Sequence, residues 1–256
     1  MVFLQTIDEV VVVCIVLLKM RNNVAPTRRG GLSGVSVYQA DPSCIPEQWL
    51  AGFYQSLSIA ERAKAHRFVK KKDRVSHVIT YGLLRLILSH HCLLLPEEIQ
   101  IHRSSLGKPY VAGDMPHFNL SHTKNLLVIA VAEDEVGVDV EYVDPAFSFQ
   151  QVAELVLCKA EQQTLACTPP HRQHAKFFEY WTAKEALLKL LGAGLRGDPT
   201  TLHMVHNEAG GLRSARFPTI RLVPLQVKDS NFVGHVAYAH QNPSVVYQAS
   251  PTLHVS

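Results

Sequence analysis

The chain has few of the features that mark secreted, zinc-binding or membrane-spanning proteins. Its five cysteines form no CxxC pair, and its fourteen histidines form neither an HExxH motif nor a paired Cys/His spacing. A disulfide framework and a zinc site are therefore not expected. The apolar run at residues 10–18 is too short for a bilayer span of about 20 residues, and it follows two acids rather than the positive charge of a secretory signal. We expect a reduced, cytoplasmic protein that does not enter a membrane.

Net charge is also small, at +3 for 256 residues, which does not suit a dedicated nucleic-acid binder. Its distribution is more informative. Residues 62–74 hold seven bases and one acid, whereas residues 133–161 hold eight acids and one base. A basic tract can bind phosphates and an acidic tract can bind a hard cation, as a phosphate-rich substrate handled with Mg²⁺ would require. The alternative is two solvated faces of opposite sign.

Periodicity predicts a mixed chain of the α+β class. Residues 22–34 contain Gly, Asn, Arg and Pro and are typical of a linker. Alternating patterns predict strands at 35–38, 99–101, 118–120, 126–132, 136–142, 220–223 and 233–239. Helical patterns begin at Ile59 and also cover 75–91, 149–165 and 175–191. We expect an N-terminal extension over 1–34, an N-terminal lobe over 35–132 and a C-terminal lobe over 133–256.

Two acids alternate along the strand predicted at 136–142. In the sequence GVDVE, Asp139 and Glu141 leave a strand on the same face, opposite to Val138 and Val140. Neighbouring carboxylates repel each other unless a cation lies between them, and Mg²⁺ prefers such oxygen ligands. The pattern indicates a metal site. An exposed polar face on a half-buried strand would produce the same pattern.

The helix predicted at 175–191 carries a second group of charges. Glu185 and Lys189 are one helical turn apart, so Glu185 could add a third oxygen to the metal and Lys189 could neutralise a phosphate beside it. A surface ion pair worth a few tenths of a kcal/mol is the alternative. Lys184 suits either a phosphate contact or a surface lysine whose stem packs on apolar neighbours.

Polar residues also follow two of the shorter predicted strands. Ser121 and His122 are expected at a turn after the strand at 118–120, where both could donate to phosphate oxygens, and Lys108 lies in a Gly-Lys-Pro turn. A hydrolase nucleophile is disfavoured, because adjacent strand residues point to opposite faces and no GxSxG surrounds Ser121.

The order GKP, NLSH, GVDVE and WTAKEALLKLLGAGL resembles the 4'-phosphopantetheinyl transferase superfamily. It is most similar to the long, two-lobed branch that serves polyketide and nonribosomal peptide synthases. The resemblance runs from Val35 to the C-terminus, with its motifs between Gly107 and Leu195. It implies two similar α+β lobes about a pseudo-twofold axis, with coenzyme A in the cleft between them.

The resemblance also implies roles for individual residues. It makes Asp139, Glu141 and Glu185 the ligands of Mg²⁺, or of Mn²⁺ in its place. The catalytic residues it implies are Glu161 as a relay for the proton of the attacking serine, with Glu185 and Lys189. The coenzyme A ligands it implies are Lys64, His77, Lys108, Pro109, Ser121, His122, Lys184 and Lys189.

The expected function is transfer of the phosphopantetheine arm of coenzyme A to a serine of an acyl or peptidyl carrier protein. A monomer that binds neither nucleic acid nor membrane is expected. One alternative is a non-enzymatic nucleotide or RNA-binding protein that uses the basic tract, although Phe68 is the sole aromatic residue within 62–74. Another is the short, trimeric carrier-protein synthase, which is about half this length.

Overall fold

The computed structural model describes residues 34–113, 115–194, 197–208, 210–239 and 244–247. The extension predicted over 1–34 lies outside these ranges except for Gly34. Among the described residues, 41–100 form one compact unit, and 34–40 with 101–247 form a second. These bounds differ from the lobes predicted at 35–132 and 133–256, because β-strands from both predicted lobes fall in the second unit. The lobe boundary stays a prediction.

The first unit is helical. Its helices are α1 (Leu50–Ser56), α2 (Ile59–Arg67) and α3 (Lys71–Cys92), with 3-10 turns at Pro42–Cys44, Glu47–Trp49 and Pro96–Glu98.

A buried arginine joins α3 to α2 and to the segment that follows α3. Arg85 on α3 is 1% exposed, and its Nε lies 2.8 Å from Glu61 Oε2 at the start of α2. Its Nη1 donates to the carbonyl oxygens of Pro96 and Ile99 at 2.8 and 2.9 Å. Glu61 also caps α2, since its Oε2 accepts the Ser58 N–H at 2.8 Å. A buried guanidinium must be paired and hydrogen-bonded, and these contacts supply its counter-charge and three hydrogen bonds.

The second unit contains the sheets. Its strands are β1 (Gly34–Ala40), β2 (Ile101–Arg103), β3 (Pro109–Val111), β4 (His117–Thr123), β5 (Leu126–Ala132), β6 (Val136–Tyr142), β7 (Met204–His206), β8 (Leu212–Ser214), β9 (Arg221–Pro224), β10 (Phe232–Tyr238) and β11 (Ser244–Tyr247). Its helices are α4 (Gln150–Val156), α5 (Lys159–Ala166) and α6 (Pro170–Leu190), with a 3-10 turn at Pro199–Thr201.

One sheet has the strand order β11-β1-β5-β4 and another the order β6-β10-β9, while β2-β3 and β7-β8 form two-stranded sheets. The valines of β6 that alternate with its acids are buried in a core with strands β1, β5 and β10. The long helix α6 buries residues such as Phe177, Ala183 and Leu187 in a second core. The α+β class is therefore confirmed. No described helix is long and apolar enough to cross a membrane.

Several predicted elements have different bounds in the structure. Strand β4 continues to Thr123, so Ser121 and His122 lie within a strand and not at a turn. The helix predicted at 149–165 is two helices, because Leu157 is extended and Cys158 begins a new capping box with Glu161. The helix predicted at 175–191 begins earlier, where Pro170 occupies its first turn. The strand predicted at 99–101 begins at Ile101, after a 3-10 turn.

Strand β6 and helix α6 approach each other closely at Gly137. A Cβ added there would lie 2.0 Å from the Ala186 carbonyl oxygen and 2.4 Å from the Leu190 amide nitrogen. Both neighbours are backbone atoms, which cannot move aside without moving the helix. The glycine that opens the GVDVE sequence is therefore required by packing.

We expect Gly137→Ala to lower the free energy of unfolding by about 3 kcal/mol, because overpacking forces α6 away from β6. Urea unfolding followed by circular dichroism measures this. Gly52→Ala is the control: nothing lies within 4 Å of a Cβ at that helical position, so a gain of about 0.5–1 kcal/mol is expected. Equal effects of the two substitutions would contradict the close approach.

Candidate active site

The candidate site is built around Asp139, in the middle of β6. Side chains of β4 bind the neighbouring backbone of β6: Asn119 Oδ1 accepts the Val138 N–H at 3.0 Å, and Ser121 Oγ lies 3.4 Å from the Val140 nitrogen. The Ser121 hydroxyl also donates to Asp139 Oδ1 at 2.9 Å. The alternation of β4 thus directs Asn119 and Ser121 at the acidic strand.

Helix α6 supplies a cation to the same carboxylate. Lys189 Nζ lies 2.6 Å from Asp139 Oδ1, and it also donates to Ser121 Oγ and to the Val138 carbonyl oxygen, both at 3.1 Å. Asp139 is 4% exposed. The sequence predicted Asp139 and Lys189 as parts of one site, and the structure brings them into direct contact.

Two further carboxylates belong to this group. The Thr123 hydroxyl donates to Glu141 Oε2 at 3.2 Å, a contact that the sequence did not suggest because 121–125 was interpreted as a turn. Burial, and then the charge of Asp139, raise the pKa of Glu141 to about 6. The same two causes raise the pKa of Glu185. Burial also raises the pKa of Asp139, against the effects of Lys189 and Ser121.

The three carboxylates suit a divalent cation as ligands. Asp139 Oδ2 is buried and has no hydrogen-bond partner among the described residues, and a buried carboxylate oxygen normally has one. The mutual repulsion of the three carboxylates is what a hard cation would relieve. In the described parts of the chain, however, no three His, Cys, Asp or Glu side chains form an assembled metal cluster. The ligand set of Asp139, Glu141 and Glu185 therefore stays a prediction.

Glu161 and Lys184 form a separate, buried ion pair. They are 1% and 0% exposed, and Lys184 Nζ lies 2.5 Å from Glu161 Oε2. Glu161 accepts the backbone N–H groups of Cys158 and Met204 at 2.8 and 2.7 Å. Lys184 also donates to the carbonyl oxygens of Val156 and Pro199, at 2.8 and 2.9 Å.

These contacts exclude one alternative given for Lys184, because it is buried and is not a surface lysine. Glu161 is buried with it. Burial lowers the pKa of Lys184, while Glu161 acts in the opposite direction. The predicted roles of Glu161 as a proton relay and of Lys184 as a phosphate contact stay predictions, but these contacts favour a structural role for both.

Lys108 also has protein partners. It follows Gly107, whose φ of 88° requires the left-handed region at this turn. Its Nζ is hydrogen-bonded to Glu135 and donates to the carbonyl oxygen of Leu190, at the end of α6, at 2.8 Å. Pro109 begins β3 and pairs with Arg103. The turn is confirmed, and the anion contact predicted for Lys108 is not tested.

The three remaining predicted coenzyme A ligands lie on β4, α2 and α3. His122 is exposed on β4, on the face opposite to Ser121. Lys64 is exposed on α2 in the first unit. His77 on α3 is buried; its Nε2 lies 3.1 Å from the Glu61 carbonyl oxygen, and its ring centroid lies 4.6 Å from that of Tyr81.

Sequence reasoning missed a buried histidine beside the site. His235 on β10 is the cross-strand partner of Asp139 and is 1% exposed. Its Nδ1 lies 2.9 Å from the Thr182 hydroxyl on α6. Burial lowers the pKa of His235 to about 4, so this imidazole is neutral at neutral pH. No motif in the sequence marks it.

We expect His235 to lower the stability as the pH drops from about 6.5 to 4, against the opposite effect of the raised pKa of Glu141. In this window His235 of the unfolded chain takes up a proton and the folded protein does not, so the unfolded state gains up to about 3 kcal/mol. Burial likewise lowers the pKa of His91 to about 4, which adds an effect of the same sign. Urea unfolding at several pH values measures the slope. His235→Gln should reduce the slope, and an unchanged slope would contradict the assignment.

Comparison with known proteins places this chain in a family. A profile described as the N-terminal part of 4'-phosphopantetheinyl transferase matches residues 42–134, and one for the 4'-phosphopantetheinyl transferase superfamily matches 135–240. The 4'-phosphopantetheinyl transferase HetI of Nostoc sp. is 32% identical over 200 residues, which are 76% of this chain and 83% of that relative. The chain belongs to the 4'-phosphopantetheinyl transferase superfamily. It is a transferase of the long type, because both profiles match in order.

Other members of the superfamily match over a shorter length. The 4'-phosphopantetheinyl transferase psf-1 of Bacillus pumilus is 36% identical over 141 residues, 54% of this chain and 59% of its own. Sfp of Bacillus subtilis is 28% identical over 145 residues, 56% of this chain and 63% of its own. These two matches span less than two thirds of either relative. They give no support to a non-enzymatic nucleotide or RNA-binding protein.

A solved holo-acyl-carrier-protein synthase from Thermotoga maritima aligns with 40% of this chain and 61% of its own, at 21% identity. The TM-score of 0.34 is too low to define the fold.

Proposed function

We propose that this transferase moves the phosphopantetheine arm of coenzyme A to a serine of an acyl or peptidyl carrier protein, with Mg²⁺ or Mn²⁺. It would act as a cytoplasmic monomer. The observation that carries the proposal is the buried Asp139 carboxylate, which is held by Lys189 and Ser121 and keeps one oxygen without a partner in the described structure. Membership of the superfamily supports the reaction class.

Three carboxylates would hold the metal: Asp139, Glu141 and Glu185. When bound, a divalent cation supplies charge neutralisation for the pyrophosphate of coenzyme A. The Lys189 ammonium and the Ser121 hydroxyl, which already lie together beside Asp139, would donate to phosphate oxygens. From the resemblance, Lys64, His77, Lys108, Pro109, His122 and Lys184 remain proposed ligands.

The bond changes follow from the proposed reaction. The carrier serine oxygen forms a bond to the β-phosphorus, the bond from that phosphorus to the oxygen of 3',5'-ADP breaks, and the serine proton passes to a base. We assign the base to Glu185 rather than Glu161, because Glu185 is half-buried on α6, whereas both oxygens of Glu161 are engaged.

The test is incubation of the purified protein with coenzyme A, Mg²⁺ and a panel of apo carrier proteins. The panel includes acyl carriers of fatty acid and polyketide synthesis and a peptidyl carrier. Mass spectrometry is expected to show one added phosphopantetheine on at least one carrier, with 3',5'-ADP released in equal amount. A chelator should abolish this addition of phosphopantetheine, and excess Mg²⁺ should restore it. No modification of any carrier by folded protein would contradict the proposal.

A further inference from the structure

The Asp139 carboxylate already has a cationic partner in Lys189. Lys189 Nζ lies 2.6 Å from Asp139 Oδ1, within the distance of a charge-assisted hydrogen bond. Both Lys189 and a divalent metal are attracted by the same negative charge, which Glu141 and Glu185 increase. An ammonium at this distance opposes the approach of a divalent cation, because like charges repel strongly in a partly buried site.

The contacts of Lys189 also allow its ammonium to move away from Asp139. Its side chain is 30% exposed, and its other partners are one hydroxyl and one carbonyl oxygen. By contrast, Lys184 is 0% exposed and fixed by Glu161 and two carbonyl oxygens. Rotation about the flexible stem of Lys189 can carry its charge to a nearby phosphate without any movement of α6.

We propose that Lys189 and the metal exchange at Asp139, so that metal and coenzyme A bind cooperatively. This rests on the proposed function. The pyrophosphate of coenzyme A attracts Lys189 away from Asp139, which opens the carboxylate to the metal. In the protein without coenzyme A, the ammonium remains on Asp139 and keeps metal affinity low. Because coupling between two ligands is reciprocal, the metal must strengthen coenzyme A binding by the same factor.

Binding measurements without a carrier protein test this exchange. Mn²⁺ is titrated into wild-type protein and Lys189→Met by calorimetry and electron paramagnetic resonance, with and without coenzyme A, at pH 8, where protons compete least with the metal. For the wild type, coenzyme A should tighten Mn²⁺ binding about 5–150-fold, and Mn²⁺ should tighten coenzyme A binding equally. In Lys189→Met, Mn²⁺ alone should bind at least about 5-fold more tightly than to wild type, and the coupling factor should fall by the same ratio.

The matched control is Lys176→Met, on the same helix. Lys176 is paired with Glu179 at 2.7 Å, so its loss should leave both the Mn²⁺ affinity and the coupling unchanged. Lys189→Gln serves as the second variant if Lys189→Met does not fold, since it removes the charge and keeps a hydrogen-bonding group.

The outcomes separate the exchange from the proposed function. Unchanged or weaker Mn²⁺ binding in both Lys189 variants, with a wild-type enzyme that modifies carriers, would overturn the exchange alone. Independent binding of Mn²⁺ and coenzyme A to wild type would overturn it as well. If Mn²⁺ does not bind wild type even with coenzyme A, and no carrier is modified, both the exchange and the proposed function are wrong.

Discussion

Asp139→Asn is expected to lower kcat/KM for carrier modification by about 10²–10³-fold or more, the loss typical when one preorganised charge is removed from an active site. The substitution keeps the shape of the side chain but removes the charge that Lys189 faces at 2.6 Å and that a metal would require. Asp139 is not an apolar core residue. We therefore expect the fold to survive.

Initial rates of carrier modification at saturating Mg²⁺ measure this effect, with circular dichroism as the check on folding. Asp229→Asn is the matched control, because Asp229 is exposed in the turn before β10 and bonds only to Asn231 among the side chains described. Near-normal turnover of Asp139→Asn at millimolar Mg²⁺ would show that the assigned site is not the reaction centre.

Lys184→Met is expected to lower the free energy of unfolding by about 3–5 kcal/mol, because it leaves the buried Glu161 without its counter-charge. Glu161→Gln should be costly as well, since it leaves a buried ammonium with two carbonyl oxygens as partners. Adding Glu161→Gln to Lys184→Met removes both charges and should recover much of the loss.

Urea unfolding of the two single variants and the double variant completes a mutant cycle. The kcat values of Glu161→Gln and Glu185→Gln, measured where both are folded, show which of the two carboxylates the reaction requires. The contacts predict a large loss of kcat for Glu185→Gln and a small one for Glu161→Gln. A stable Glu161→Gln protein with a kcat lowered 10²-fold or more would restore Glu161 as the base.

The parts of the site that are local in sequence could be predicted. Strand β6 has the bounds that its alternation indicates, because its valines line one face and its two acids the other, which is a period of two. The spacing of Glu185 and Lys189 on one helix follows from helical geometry in the same way. The family motifs then indicated that β6 and the helix with Glu185 and Lys189 contribute to the same site.

The parts that depend on distant residues could not be predicted. Asp139 and Lys189 are 50 positions apart, and no periodic pattern in the sequence predicts their contact. The burial of Lys184 was missed for a related reason: a lysine is normally exposed unless a partner from elsewhere neutralises it. Ser121 was placed in a turn because polar residues extend to Asn125, although pairing with β5 continues through Thr123.

One turn of α6 carries both the buried Lys184 and the half-buried Glu185. Lys184 is held by α5, by the end of α4 and by the 3-10 turn at Pro199–Thr201. Rotating or unwinding that turn would expose a buried ion pair, so the backbone amides there should exchange with solvent only when most of the second unit opens. The carboxylate of Glu185 is thus carried on a cooperative segment, and local fraying of the helix end cannot loosen it.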